Sequence, residues 1–65
     1  MRISKLKLLR YQRSILQIEV ATRAGIDRAR LSLIECGHVQ PRPDEIERIA
    51  RALNVAAEVV REAAA

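Results

Sequence analysis

The sequence contains very little cysteine and almost no aromatic residue. Among its 65 residues Cys36 is the single cysteine and Tyr11 the single aromatic residue, and tryptophan and phenylalanine do not occur. One cysteine cannot form an internal disulfide, which excludes a disulfide-stabilised secreted scaffold and favours a reducing compartment. Because 49% of the residues are apolar, the chain can still fold around a core, which must consist of leucine, isoleucine, valine and alanine.

Long apolar runs and clusters of reactive side chains are also missing. No stretch approaches the roughly 20 apolar residues of a membrane span, and MRISKLKLLRYQR at the start lacks the apolar run and cleavage site of a signal peptide. One histidine and one cysteine cannot supply the ligands of a zinc site, and no acid–base or nucleophilic constellation is evident. We therefore expect a cytoplasmic protein that is not an enzyme and that uses no metal, cofactor, small-molecule ligand or membrane.

Charge is unevenly distributed along the chain. Residues 1–30 contain eight basic and two acidic residues, a net charge of +6, whereas residues 31–65 contain four basic and six acidic residues, a net charge of −2. A basic half beside an acidic half is typical of a protein with one face for a polyanion such as nucleic acid. Solvated helix faces carry similar residues, so charge alone leaves both interpretations open.

The apolar spacing predicts helices almost throughout. A first helix has the stripe Ile3, Leu6 and Leu9, and a second runs from about Gln17 to Ala24. Glycine is scarce, and its two positions suit left-handed helix ends: Gly25 after the second helix and Gly37 after the third. Asp27 can cap the third helix, which would extend to Glu35 or Cys36.

The two prolines, Pro41 and Pro43, lie close together after the third helix. The stretch 38–43 cannot be helical, because a residue before proline avoids the α region. Pro43 suits the first position of a fourth helix, and Asn54 suits its left-handed end; the apolar stripe of this helix is Ile46, Ile49, Ala50 and Leu53. Residues 55–65 form a fifth helix or a frayed tail, in which Val59 and Val60 could dock on the core. The predicted fold is a compact all-α bundle of four to five helices.

The third helix presents an unusual outward face. At about 100° per residue, Leu31 and Ile34 point to one side, and the opposite side carries Arg28, Ala29, Ser32, Leu33 and Cys36. Such a narrow face with a charged end suits a DNA major groove, where arginine binds guanine and an apolar group contacts the thymine methyl. A surface helix with small side chains would explain the same face.

The ordered set of these elements closely resembles the lambda-repressor-like family of helix-turn-helix regulators, the Xre or Cro type. The resemblance covers about residues 3–60, and the matching segments are LKLLR at 6–10, Gln17, Val20-Ala21, Ala24-Gly25-Ile26-Asp27, Leu31-Ser32-Leu33-Ile34-Glu35, Gly37, Pro41 and residues 49–55. It implies one domain over residues 1–65, with the helix-turn-helix unit at about 17–36 and the helix starting at Arg28 in the major groove.

The resemblance also implies roles for individual residues. It places Arg28, Ala29, Ser32 and Leu33 at base edges, with Arg28 gripping guanine; a solvated residue or a phosphate contact is the alternative for Arg28. Contacts to the DNA backbone are expected from Gln17, Arg30, His38, Gln40 and Arg42, although His38 could be a solvated loop residue. Arg10 and Glu35 match a structural pair that joins the first helix to the end of the third.

The sequence departs from the family pattern before the second helix. Leu16 occupies a position where the family usually has serine or threonine, and Ser14 one where it usually has glycine. Ser14 and Gln17 could instead form a capping box that starts this helix earlier. In that case Gln17 would be engaged with its own helix end rather than with a phosphate.

Two functions remain open on the sequence. The first is a sequence-specific regulator of transcription, acting as a repressor on double-stranded DNA and nucleoid-associated when bound. It would bind an inverted repeat as a homodimer, with dimer contacts drawn from Val59, Val60, Leu33 and Val39. The alternative is a protein-interaction module, such as an antitoxin or an assembly subunit, that keeps the fold; it is favoured by the apolar residues Leu16, Ile18 and Leu33.

Overall fold

The computed structural model describes residues 4–64. In this range the chain forms five α-helices and no strand, which confirms the predicted all-α class. The helices are α1 (Lys5–Gln12), α2 (Gln17–Ala24), α3 (Arg28–Glu35), α4 (Pro43–Leu53) and α5 (Ala57–Ala64). None of them is long and apolar enough to cross a membrane. Ile3, which the apolar spacing assigned to the first helix, lies outside the described residues.

Local chemistry sets most of the helix ends as predicted. Gly25 ends α2 with φ of +67° and Asn54 ends α4 with φ of +58°, both in the left-handed region. The Asp27 carboxylate accepts a hydrogen bond from the Ala29 N–H at 3.0 Å and so caps α3. Pro43 is the first residue of α4, where its missing N–H costs no helical hydrogen bond.

Helix α2 starts at Gln17, where it was predicted to start, but not with the alternative cap. This helix begins at Gln17, after Leu16 in an extended conformation, and the Glu19 carboxylate accepts the Leu16 N–H at 3.2 Å. Ser14 lies in the preceding turn with φ of +55°, and its N–H bonds to the Tyr11 carbonyl at 2.9 Å. The predicted capping box of Ser14 and Gln17 is therefore wrong, because the turn that closes α1 holds Ser14 away from the helix start.

The core lies where the five helices meet. Helix α2 packs against α3 and α4, and α5 packs against α4 and α1. The largest fully buried apolar side chains are Leu6, Val20, Leu31, Ile49, Leu53 and Val60. The expectation that Val59 and Val60 both dock on the core is half correct, since Val59 is 41% exposed. Neighbouring residues on a helix point about 100° apart, and on α5 it is Val60 that faces the core. Its burial removes Val60 from the candidate dimer contacts.

Candidate nucleic-acid interface

Helices α2 and α3 and the turn at Gly25 form a helix-turn-helix unit with α3 at the surface. Leu31 and Ile34 are buried against the rest of the domain, as their spacing predicted. The opposite face of α3 is open to solvent: Arg28, Ala29, Leu33 and Cys36 are exposed and Ser32 is half-buried. The structure thus brings the four predicted base-contacting residues together on one accessible face of the helix.

Arg28 is the first residue of α3 and the charged end of this face. Its Nε donates a hydrogen bond to Oε1 of Gln17 at 3.3 Å, across the turn between α2 and α3. The bond uses only Nε, so the two terminal nitrogens of the guanidinium take no part in it. Those two nitrogens are the donors with which an arginine forms two hydrogen bonds to O6 and N7 of a guanine.

Gln17 is held from its other side by Glu35. The Gln17 Nε2 donates to Oε1 of Glu35 at 3.2 Å, so the first residue of α2 touches both the first and the last residue of α3. The sequence alone predicts a phosphate contact for Gln17 and does not predict these two contacts. They join residues 18 and 11 positions apart in the chain, and no local spacing rule reports pairs at such separations.

Arg10 and Glu35 form the predicted pair between α1 and the end of α3. The Arg10 Nε lies 2.9 Å from Oε2 of Glu35 and its Nη2 lies 3.3 Å from Oε1. A third nitrogen, Nη1, donates to the Ile15 carbonyl at 3.1 Å. Both side chains are more than nine-tenths buried, so the pair is a well-satisfied internal contact that sets the position of α3 against α1.

Arg30, predicted to contact the DNA backbone, is paired within the protein. Its Nε donates to Oε2 of Glu45 and its Nη2 donates to Oε1 at 2.8 Å. Glu45 is almost fully buried at the start of α4. The hydrogen bonds from Arg30 outweigh the cost of burial and lower the pKa of Glu45 to about 2, and the same contact raises the pKa of Arg30.

The segment between α3 and α4 follows directly on the open face. The His38 N–H donates to the Leu33 carbonyl at 2.9 Å, which holds the start of the segment against the end of α3. His38, Gln40 and Arg42 are exposed, whereas Val39 is half-buried against the core. The backbone N–H of Arg42 donates to Glu45 at 2.8 Å. The predicted backbone-contacting residues of this segment are therefore accessible, and Val39 is a poor dimer contact.

The described residues were also searched for a metal-binding cluster and for free thiols. Within residues 4–64 no group of three histidine, cysteine, aspartate or glutamate side chains could hold a metal ion. Cys36 is a free, exposed thiol at the C-terminal end of α3. The open face of α3 and its neighbours remain the candidate site.

Comparison with known proteins agrees with this geometry. A model of the family described as Helix-turn-helix matches residues 6–60, from within α1 to within α5. No curated protein and no solved structure matches the chain.

Proposed function

The chain belongs to the lambda-repressor-like helix-turn-helix family, and from this premise we propose that it is a sequence-specific repressor of transcription. The members of this family are DNA-binding regulators rather than enzymes. The observation that carries the proposal is the open face of α3, which presents one arginine, Arg28, at the head of small and apolar side chains.

In the proposed complex α3 lies in the major groove. The terminal nitrogens of Arg28 donate to O6 and N7 of a guanine, a contact worth about 1–3 kcal/mol of discrimination against other bases. Ala29 and Leu33 offer apolar contact to thymine methyl groups, and the Ser32 hydroxyl can bond to a base edge. Leu33 is 44% exposed, an arrangement that a contact in the groove would explain.

Contacts to phosphates would fix the register of α3. We assign them to Gln17 at the start of α2 and to His38, Gln40 and Arg42 beyond the end of α3. Arg30 stays in this set because its side chain is 35% exposed while it is paired with Glu45. Such contacts position the protein without reading sequence, and they make its affinity fall steeply with salt.

We further propose that the protein binds as a homodimer. A two-fold dimer places two reading helices about 34–36 Å apart, so the operator would be an inverted repeat. Val59 on α5 and Leu8 on α1 are both close to half exposed and line one surface depression between these helices. Of the predicted dimer contacts on α5, Val59 is the one that remains accessible.

Selection from randomised duplexes at about 150 mM salt tests the proposal. We expect wild type to enrich an inverted repeat with a guanine in each half-site, and Arg28→Ala to lose that guanine while keeping the remaining positions. Arg61→Ala, which removes an exposed arginine of α5, is the matched control and should enrich the wild-type sequence. Retention without enrichment would mean that only phosphates are bound.

A protein-interaction module is the second candidate function. Leu16 is 63% exposed and Ile18 is 48% exposed at the start of α2, and large apolar side chains are uncommon at phosphate-binding surfaces. Together with Leu33 they would suit a protein partner. Under this alternative wild type retains no duplex, and Leu33→Glu abolishes binding to the partner; under the proposed function wild type retains DNA.

A further inference from the structure

Two arginines from different elements meet at one buried carboxylate beside the open face of α3. The Glu45 side chain is 1% exposed, and its two oxygens accept hydrogen bonds from Nε and Nη2 of Arg30. The Nη2 of Arg42 lies 3.6 Å from Oε2 of Glu45, the oxygen that accepts from Nε of Arg30. One carboxylate oxygen therefore has a nitrogen of each guanidinium beside it.

Both guanidinium groups keep donors at the surface. The side chain of Arg30 is 35% exposed and that of Arg42 is 64% exposed. The pairing with Glu45 uses Nε and Nη2 of Arg30, which leaves Nη1 for another acceptor. Arg42 approaches the carboxylate at a separation longer than a hydrogen bond. Glu45 therefore keeps the two groups close together without using all of their donors.

The charges around these arginines do not cancel. The pKa of Glu45 is about 2, so Glu45 is ionised at neutral pH. Asp44 lies 3.7 Å from Nε of Arg42, and its carboxylate also accepts a hydrogen bond from Arg48 at 3.0 Å. Three arginines and two carboxylates leave one positive charge in excess, which favours an anion at the exposed side of the cluster.

Arg30 lies on the side of α3 that a DNA backbone would pass. At about 100° per residue, Arg30 is displaced by about 60° from Leu33, away from the open face and towards α4. A helix seated in the major groove presents its central face to the bases, and its flanks lie near the phosphates that border the groove. Arg42 reaches the same flank from the segment between α3 and α4, since both arginines meet at Glu45.

From this arrangement we propose that Arg30 and Arg42 form one site for a single phosphate of the DNA backbone, and that Glu45 holds the two arginines together. The site rests on the proposed function, in which each arginine contacts the backbone, and adds that both contact the same phosphate. A phosphate presents several acceptor oxygens on one centre, so it can accept from two guanidinium groups at once. Glu45 is a positioning residue in this site, because its carboxylate is buried away from the ligand.

Replacing backbone phosphates one at a time by neutral methylphosphonate, in the duplex that wild type selects, tests the site. In wild type one replacement beside the flank of α3 should lower the affinity about tenfold, because it removes the charge to which two arginines donate. In Arg42→Met the same replacement should cost only about threefold, since one of the two donors is already gone. Arg30→Lys should reduce the cost at that same position, because an ammonium lacks the planar fork of a guanidinium.

These two variants are chosen to keep the fold. Arg30→Lys retains a positive charge beside the buried Glu45, and Arg42→Met retains the backbone N–H that donates to Glu45 at 2.8 Å. Both should match the helix content and melting temperature of wild type by circular dichroism. Arg51→Met, which removes an exposed arginine of α4, is the matched control and should show the wild-type loss of about tenfold at the same phosphate.

A titration with inorganic phosphate examines the same site without DNA. In the free protein, the Cζ resonances of Arg30 and Arg42 should shift together with one dissociation constant, whereas that of Arg51 should not shift. This measurement also separates the two sources of phosphate. A protein that binds inorganic phosphate at both arginines, yet has no backbone position sensitive to both, takes free phosphate, and the assignment to DNA is overturned.

The remaining outcomes are distinct. One backbone phosphate whose replacement cost falls in both variants supports the inference. Two different phosphates, one for each arginine, or replacement costs that neither variant changes, overturn it and leave the proposed function intact. A wild-type protein that retains no duplex overturns the proposed function before any phosphate is replaced, and the inference falls with it.

Discussion

Arg30 of α3 and Glu45 of α4 form an ion pair through two hydrogen bonds, and the same carboxylate accepts the backbone N–H of Arg42. The Glu45 side chain is 1% exposed, so one buried carboxylate connects α3 to the segment that precedes α4. This arrangement fixes the spacing between the open face of α3 and the exposed Arg42 side chain.

The low pKa of Glu45 predicts a loss of stability in acid. Its folded-state pKa of about 2 lies below the ordinary value of 4.5, so the folded state favours the ionised form. The pair contributes its full stabilisation above about pH 4.5, and this contribution declines as the pH falls towards about 2. Urea denaturation at a series of pH values should therefore show Glu45→Gln much less stable than wild type at neutral pH, with the difference shrinking in acid.

Glu47→Gln is the matched control for that experiment, since Glu47 is an exposed glutamate of the same helix. It should follow the wild-type pH profile. A constant difference between Glu45→Gln and wild type from neutral pH to about pH 2 would contradict the assigned role.

The buried pair of Arg10 and Glu35 predicts a strong asymmetry between single and double substitutions. Arg10→Met leaves the Glu35 charge buried without its main partner, which typically costs about 3–5 kcal/mol. A domain of this size often has no more than about 3–5 kcal/mol of stability, so we expect Arg10→Met to be largely unfolded by circular dichroism. Arg10→Met combined with Glu35→Leu removes both charges and should recover most of the helix content. A single variant that melts like wild type would refute this role.

Truncation to alanine should affect stability at one leucine of α3 and DNA selection at another. Leu31 is fully buried, so Leu31→Ala should lower the free energy of unfolding by about 2–5 kcal/mol. Leu33 is 44% exposed, so Leu33→Ala should change stability by no more than about 0.5 kcal/mol while reducing selection for thymine in the operator. Urea denaturation and duplex selection measure the two effects. Similar destabilisation by both variants would show that the outward face of α3 has been misassigned.

The helix boundaries were predictable because each depends on residues within one turn of it. Gly25 and Asn54 adopt the left-handed conformation that their own backbone or short side chain permits, and Asp27 caps a helix that starts at the next residue. The inward face of α3 followed from the helical period alone. The start of α2 at Gln17 was predicted as well, whereas the alternative capping box with Ser14 was wrong, because Ser14 belongs to the turn that closes α1.

The sequence by itself determined the first four helices, the face that α3 presents and, through resemblance, the pairing of Arg10 with Glu35; it left residues 55–65 open between a fifth helix and a frayed tail. Only the tertiary structure decided which of Val59 and Val60 is buried, that Arg30 pairs with Glu45, and that Gln17 lies between Glu35 and Arg28. The physical reason is the separation along the chain. Helix formation and capping act between near neighbours, whereas the hydrogen bonds of Arg30 and Gln17 join residues 11 to 18 positions apart. Such contacts exist only once the helices have packed at one particular rotation and separation.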